Sequence, residues 1–294
     1  MTTVVFSDTG SMRLVGWRRA QSFRSMAVVV FFQILSLCHV EAMAGDMKIL
    51  PIGGVVREET LRAEYLLQTG NPANLRFVAD PENATKRVLE LTLRASDPEA
   101  ATSHRTEILG RKDGIGNQEA VRWYGFAFFV PADWKSDESP TVVAQLHGND
   151  LLRLAPPLSL QIQEGRMFLM LQHNINRVTS ATPPVTGNSV RLYPWRGPLV
   201  TGRWYRLIVR TIWSATPGVG ELDVWLDGSL LVTQRRIPNT YDTSDVVGGR
   251  NYAKTGIYAP YGFKSKDEAR ILTRGIVIGG PDATYAEIND ALEK

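Results

Sequence analysis

The sequence has a single cysteine, Cys38, among 294 residues, which excludes an internal disulfide framework and any cysteine-rich metal site. Helical periodicity is scarce, and no apolar run approaches the roughly 20 residues that span a bilayer. A strong charge excess is missing too. The formal net charge is +3, and four arginines against two acidic residues in positions 1–44 account for two of these three charges. Bulk charge therefore gives no argument for a nucleic acid or a membrane surface as partner.

The first 44 residues are typical of an export signal. Arginines precede an apolar run at 26–37, and Ala42-Met43-Ala44 forms a small-x-small cleavage site before Gly45. We expect this segment to be removed, leaving residues 45–294 as one domain of a bacterial secreted or periplasmic protein with no membrane attachment. An uncleaved anchor is the alternative. A chain of this length can bury a full core without disulfides or metals.

From Gly45 onward the apolar residues mostly alternate with polar ones, which is typical of β-strands. Turn residues separate the runs, and Asp227-Gly228 is the clearest hairpin. A short helix is predicted only at 285–294. About a dozen short strands predict an all-β jelly roll of two antiparallel sheets. The predicted strands are 60–67, 75–79, 87–93, 105–109, 122–130, 141–147, 158–163, 167–172, 204–213, 221–226, 230–234, 256–258 and 269–278.

The stretch from Asn251 to Tyr258 carries the strongest functional signal. In an extended strand, alternate side chains share a face, so Tyr252, Lys254 and Tyr258 point the same way. Gly256 between them is expected to leave an open spot. A phenol, a cation and a gap on one sheet face suit an anionic, hydroxyl-rich ligand.

Two other strands place polar pairs on one face each. Arg105 and Glu107 share one face of the first strand, and Gln145 and His147 share one face of the second. We predict that the polar faces of the three strands meet in one groove. The bland alternatives are an ion pair across a sheet for Arg105 and Glu107, a structural histidine at 147, and ordinary strand packing for Tyr258. We interpret His104 and His173 as structural.

These stretches resemble jelly-roll polysaccharide lyases, whose fold is a concanavalin A-like sandwich. Arg105-Thr106-Glu107, Gln145-Leu146-His147 and the segment from Tyr252 to Tyr258 occur in the order seen in the heparin lyase I type and in glucuronan lyases. Family 7 alginate lyases carry a related triple. The resemblance covers roughly residues 60–280. Sequence segments outside these motifs also resemble the lyases, namely those at Trp134, at Gly202-Arg203-Trp204-Tyr205 and at Val224-Trp225-Leu226-Asp227-Gly228.

The sequence departs from the alginate lyase pattern at two places. Leu109 stands where those enzymes usually have a second arginine, and Ala259-Pro260 follows Tyr258 where they often have Asn-Gln. Both departures weaken the alginate assignment more than the lyase assignment. Glucuronan, heparin-like chains and alginate are therefore the candidate acidic polysaccharides, in that order.

The resemblance implies β-elimination of a uronic-acid polymer, and the chemistry suits the residues. Arg105 and Gln145 would neutralise the sugar carboxylate while negative charge develops next to it. Tyr258 would protonate the leaving oxygen, or also remove the C5 proton if both steps occur on one face of the sugar. His147 would be the base for the opposite stereochemistry, or otherwise a carboxylate neutraliser.

Three neighbouring residues are assigned supporting roles. Lys254 would bind the acidic sugar or lower the pKa of Tyr258. Glu107 would orient Arg105, and Tyr252 would stack on a sugar ring. The sequence requires no cofactor. The resemblance allows for Ca²⁺, but no run of residues is assigned as a metal ligand. We expect a monomer.

Two rival functions use the same fold. Glu221-Leu222-Asp223-Val224-Trp225 resembles the start of a glycoside-hydrolase motif, but Trp225 and Leu226 stand where its second glutamate belongs. A non-catalytic carbohydrate-binding module is the other rival. Such a module has no need to gather an arginine, a glutamine, a histidine and a tyrosine.

Overall fold

The structure is a computed structural model that describes residues 48–51, 61, 65–110, 120–148, 154–177, 190–242 and 251–293. The predicted signal segment and a predicted Pro/Gly/Thr loop at 179–188 lie outside these ranges. Within them, no helix has the length and apolarity needed to cross a membrane.

The described part of the chain is almost entirely β-structure, with one α-helix, α1 (Tyr285–Glu293), near its end. A 3-10 turn at Pro72–Asn74 joins two strands. The strands are β1 (Lys48–Pro51), β2 (Tyr65–Thr69), β3 (Leu75–Asp80), β4 (Asn83–Arg94), β5 (His104–Gly110), β6 (Val121–Val130), β7 (Thr141–His147), β8 (Leu158–Gln163), β9 (Arg166–Arg177), β10 (Val190–Pro198), β11 (Arg203–Ile212), β12 (Glu221–Leu226), β13 (Ser229–Arg235), β14 (Tyr241–Asp242), β15 (Tyr252–Ala259) and β16 (Glu268–Gly279).

The strands form two eight-stranded sheets. The helix-side sheet has the order β13-β12-β11-β6-β16-β4-β3, with β1 paired to β16. The groove sheet has the order β10-β9-β8-β7-β15-β5-β2, with the short β14 paired to β9 in parallel. All other pairs are antiparallel. This double sheet confirms the predicted all-β jelly-roll class.

The main core lies between the two sheets. Strand β6 shows why: Tyr124, Phe126 and Phe128 point into this core and are fully buried. On its other face, Trp123 and Ala127 pack with α1, whose Ile288 is also fully buried. The strand, which is rich in aromatic residues on both faces, is therefore buried on both, because α1 covers the face that the second sheet does not.

Two tight hairpins connect antiparallel strands, and one of them is the hairpin predicted at Asp227-Gly228. Asp227 and Gly228 have φ values of 49° and 82°, and Glu164 and Gly165 have 49° and 71°. Positive φ at both central residues is the geometry that matches the twist of the flanking strands.

Several strand boundaries differ from the prediction. Leu61 has helical backbone, and the strand predicted at 60–67 is β2, which begins at Tyr65. The predicted strand 256–258 is the end of a longer one, β15. Strands β1, β10 and β14 were not predicted at all. Strand β10 matters for function, because it forms one edge of the groove sheet.

Candidate active site

Three adjacent strands carry the residues that the sequence singled out. Strand β15 lies between β5 and β7, and cross-strand partners share a sheet face. Tyr258 is opposite Arg105 on β5, whereas Lys254 is opposite Gln145 on β7. Tyr252 is opposite His147, again on β7. The three polar faces therefore meet on the side of the groove sheet that faces away from the main core.

A buried carboxylate, Glu107, connects the cations and the amide of this face. It is only 1% exposed and accepts hydrogen bonds from Arg105 Nη1 at 3.3 Å and from Gln145 Nε2. The Lys254 ammonium lies 3.9 Å from the same carboxylate. One negative charge thus faces two positive charges. These contacts suit the predicted role of Glu107 in orienting Arg105, and its burial leaves it no surface of its own in the groove.

Gln68 on β2 is a member of the site that the sequence did not reveal. Its Oε1 accepts hydrogen bonds from Arg105 Nη1 at 3.2 Å and from Lys254 Nζ at 3.0 Å. A neutral acceptor holds two cations in place without cancelling their charge. Its sequence context, YLLQT, gives no sign of this role, because Gln68 and Thr69 are adjacent polar residues on opposite faces of the strand.

Arg105 joins this network to Tyr258. Its guanidinium lies 4.3 Å from the centre of the Tyr258 ring and also donates to Ser103 Oγ. Burial raises the pKa of the Tyr258 phenol, and the nearby Arg105 charge only partly offsets this effect. The phenol therefore carries its proton at neutral pH, as a proton donor must.

His147 is oriented by two contacts at Nδ1. This nitrogen lies 2.8 Å from the carbonyl oxygen of Gly148 and 3.1 Å from the hydroxyl of Tyr252. A carbonyl only accepts, so we assign the neutral ring's proton to Nδ1 and its basic lone pair to Nε2. Tyr252 is only 2% exposed, so its ring is not available to stack on a sugar as predicted, and it positions His147 instead.

Gln145 and Gly256 present no side chain at the surface of the groove. Gln145 is fully buried, and its Oε1 has no hydrogen-bond partner among the described residues. Gly256 leaves no open spot, contrary to the prediction. A Cβ there would lie 2.3 Å from the backbone oxygen of Thr106, and its φ is 147°. Glycine is present because β5 approaches too closely for any side chain.

A groove of about 890 Å³ lies over this face. Arg105, His147, Lys254 and Tyr258 line it together, so the predicted histidine and tyrosine share one cavity. Strands β9 and β10 supply much of the opposite side. Among the described residues, the lining includes four cationic side chains and no carboxylate. Its other polar and aromatic residues are Gln68, Thr102, Ser103, Gln161, Gln163, Phe168, Gln172, Tyr193 and Tyr261.

The carboxylates of the hydrolase-like motif lie elsewhere. Leu222 and Val224 of β12 point into the main core, so Glu221 and Asp223 lie on the outer face of the helix-side sheet. Asp223 forms ion pairs with Arg235 at 2.7 Å and with Arg210 at 3.4 Å. This face is remote from the groove, and the motif supports the sheet instead of a hydrolytic site.

The remaining histidines of the described chain do not line the groove. His104 Nε2 lies 4.0 Å from Glu99, and burial lowers the pKa of His173. No group of three or more His, Cys, Asp or Glu side chains within the described ranges is arranged to hold a metal ion.

The sequence profile of the polysaccharide lyase family matches residues 53–276 of this chain. The chain belongs to the polysaccharide lyase family. The match spans every strand of the site, from β2 to β15. Comparison with curated protein sequences gives no significant match.

Solved structures of polysaccharide lyases share the fold of this family member. An endo-β-1,4-glucuronan lyase from the fungus Trichoderma reesei is 15% identical, with a TM-score of 0.60 over 76% of this chain and 92% of that chain. A family 7 alginate lyase is also 15% identical, with a TM-score of 0.51 over 75% of this chain and 96% of that chain. At these identities the likeness establishes the jelly-roll fold.

Proposed function

We propose that this polysaccharide lyase cleaves a uronic-acid polysaccharide by β-elimination. The observation that carries the proposal is the groove lining, which combines four cations with His147 and Tyr258 and includes no carboxylate among the described residues. An acidic polymer fits such a charge pattern. A glycoside hydrolase instead needs two carboxylates facing its substrate.

The proposed reaction begins with the sugar carboxylate held by Arg105. Removal of the C5 proton sends negative charge onto this carboxylate, and a fixed guanidinium stabilises that charge. Lys254 adds a second positive charge beside it. The buried Gln145 contributes by donating from Nε2 to Glu107 and so holding that carboxylate in place.

The proton transfers are assigned to His147 and Tyr258. The C5 proton passes to Nε2 of His147, the C4–O4 bond breaks, and a C4–C5 double bond forms. Tyr258 donates its phenolic proton to O4 and is reprotonated from solvent. The raised pKa of the Tyr258 phenol favours this acid role. If the two transfers occur on one face of the sugar, Tyr258 performs both of them, and His147 assists in neutralising the carboxylate.

Tyr258→Phe tests the assignment. We expect kcat on a polyuronate to fall by about a hundredfold or more, because the proton donor is lost, while polymer affinity stays within about twofold. The measurement is the ultraviolet absorbance of the unsaturated product, together with calorimetric binding to the same polymer. Tyr285→Phe removes a phenol on α1, far from the groove, and serves as the control.

The same assays separate the rival functions. Reducing ends that form without an ultraviolet signal would indicate hydrolysis. Retention of polymer without any product would indicate a binding module. A parallel loss of folding and activity in Tyr258→Phe, measured by thermal melting, would assign Tyr258 to packing instead.

We further propose that the protein is exported, with glucuronan, heparin-like chains and alginate as candidate substrates. The support is the pattern of residues 1–44 and the resemblance of the site motifs. Amino-terminal sequencing of the mature protein should begin at Gly45. An intact amino terminus on the active protein would contradict export by cleavage. The resemblance allows for Ca²⁺ without requiring it, and metal analysis tests whether the ion is bound. Light scattering tests the predicted monomeric state.

A further inference from the structure

One side of the groove is built by strand β10, whose cations the proposed reaction does not use. Arg191, Tyr193 and Arg196 all line the groove from this strand. Arg191 Nε lies 3.4 Å from Gln172 Oε1, and the Arg196 guanidinium lies 5.7 Å from the centre of the Phe168 ring. Within the described ranges, neither guanidinium forms an ion pair with a carboxylate. Both therefore keep most of their hydrogen-bond donors available to a ligand.

The strand register aligns Arg196 with the proton-donor side of the site. Tyr258 is opposite Val142, which is opposite Gln161, and Gln161 is opposite Phe168. Phe168 in turn is opposite Arg196. One row of cross-strand neighbours thus runs from Tyr258 to Arg196 across the floor of the groove.

A second row aligns Arg191 with His147. Leu146 is opposite Leu158, and Leu158 is opposite Leu171, so the next residues along, His147 and Gln172, lie at one level. Gln172 is opposite Arg191. Strands β7 and β10 are three spacings apart, on the order of 14 Å along the sheet. The backbone of β10 therefore lies well away from the strands that carry the residues proposed for elimination.

A β-bulge brings the two arginines of β10 to the same face. Positions 191 and 196 differ by an odd number, so a regular strand would point their side chains to opposite faces. The register shifts between Leu192 and Trp195, where β10 contains one extra residue. This extra residue restores the alignment, and both arginines line the groove.

An exposed aromatic ring lies between the two cations. Tyr193 is 50% exposed and packs edge-to-face on Phe168, with ring centroids 5.6 Å apart. A ring anchored in this way presents an apolar face beside two guanidinium groups. This combination suits a sugar that carries a carboxylate.

We propose that Arg191, Tyr193 and Arg196 form a second acidic-sugar subsite, which binds the carboxylate of a uronate that is not the one undergoing elimination. The inference rests on the proposed function, because it assumes a polyuronate in the groove. It adds that the preferred polymer carries carboxylates on closely spaced sugars. The subsite strengthens polymer binding without taking part in bond breaking.

The test is the double variant Arg191→Gln/Arg196→Gln, assayed on polyglucuronate by ultraviolet absorbance. We expect KM to rise about tenfold, because charge-assisted hydrogen bonds to the remote sugar are lost, and kcat to stay within about twofold. Glucuronate disaccharide, tested as a competitive inhibitor, is long enough to occupy only the two sugar positions at the elimination centre. Its inhibition constant should not change.

Arg206→Gln is the matched control, because it makes the same chemical change on the helix-side sheet, where Arg206 pairs with Glu293. The variant Arg191→Lys/Arg196→Lys keeps the charge and should recover much of the affinity. An unchanged KM in the glutamine double variant overturns the subsite. So does a shift of the disaccharide's inhibition constant by the same factor, or a rise in KM that is confined to heparin, which would assign the arginines to sulfate.

The two proposals fail in different ways. If the wild-type protein forms no unsaturated product from any uronate polymer, the proposed lyase function is wrong. If it forms that product but the double variant behaves as wild type, only the second subsite is wrong.

Discussion

At the scale of single residues, Glu107 sets the charge of the candidate site. Two largely buried cations without a counter-ion would be costly, and a single carboxylate between Arg105 and Lys254 reduces that cost. A second carboxylate would cancel the remaining positive charge. The neutral Gln68 supports both cations without doing so. This composition leaves a net positive charge, which suits the proposed uronate substrate.

A further buried cation, Lys266, leads to a prediction about pH. Burial lowers its pKa from 10.5 to about 8, and its ammonium lies 4.3 Å from the centre of the Trp134 ring. At a pH between these two pKa values, the unfolded chain binds a proton at Lys266 that the folded protein does not. The free energy of unfolding should therefore rise with pH in this window, relative to Lys266→Met, by on the order of 3 kcal/mol.

Denaturant unfolding of both proteins at pH 7, 8, 9 and about 10.5 measures this difference. Lys264→Met, at an exposed lysine two residues earlier, should follow the wild-type pH dependence. Parallel curves for wild type and Lys266→Met would show that the ammonium is not penalised by burial.

The sequence predicted part of the site at this scale. Alternation along β15 correctly placed Tyr252, Lys254 and Tyr258 on one face, because a strand's period of two is local. Gln68 could not be found in this way, because its role depends on the pairing of β2 with β5, some 37 residues apart. The burial of Tyr252 depends in the same way on residues distant in the chain.

At the scale of elements, the β5–β15 pair depends on the absence of a side chain at Gly256. A Cβ would lie 2.6 Å from the Cα of Glu107, so any substitution must push the strands apart. Tyr258 and Arg105 are opposite each other on these strands and would move with them.

Gly256→Ala is therefore predicted to destabilise the protein by about 3 kcal/mol or more and to lower kcat/KM by more than tenfold. Gly218→Ala is the matched control, because Gly218 also has positive φ, at 91°, but nothing lies within 4 Å of its Cβ position. This control isolates the cost of backbone strain. Equal destabilisation of both variants, measured by thermal melting, would refute the steric explanation.

The elements differ in how far their own sequences predicted them. Strand β6 was predicted almost to its ends, since its two apolar faces leave no other interpretation, and the hairpin at Asp227-Gly228 follows from its turn residues. Strand β10 was missed. It lies at a sheet edge, contains Pro194 and Pro198, and has seven exposed residues in nine, so it lacks the alternation of a half-buried strand.

At the scale of the whole molecule, the outer faces of the two sheets differ. The helix-side sheet is covered by α1 and packs a second hydrophobic cluster on its outer face, with Ile288 fully buried there. The outer face of the groove sheet instead carries the groove. Positive charge is concentrated in the groove, whereas residues 45–294 as a whole carry little net charge.

This concentration of charge predicts how salt affects the enzyme. Raising NaCl from about 0.05 M to about 0.5 M should increase KM on polyglucuronate several-fold, because the Debye length falls well below the width of the groove. The value of kcat should change by less than about twofold. The Arg191→Gln/Arg196→Gln variant should show a weaker dependence. A KM that does not respond to salt would argue against electrostatic binding of the polymer.

The insertion of β15 between β5 and β7 has a consequence for the order of assembly. Its neighbours in the sheet are more than a hundred residues earlier in the chain, so a ribosome must complete most of the protein before this gap can be filled. Until then β5 and β7 have unpaired edges that invite pairing with other chains. The strand that carries Tyr258 thus completes the groove and, at the same step, covers the two edges that would otherwise promote aggregation of the nascent chain.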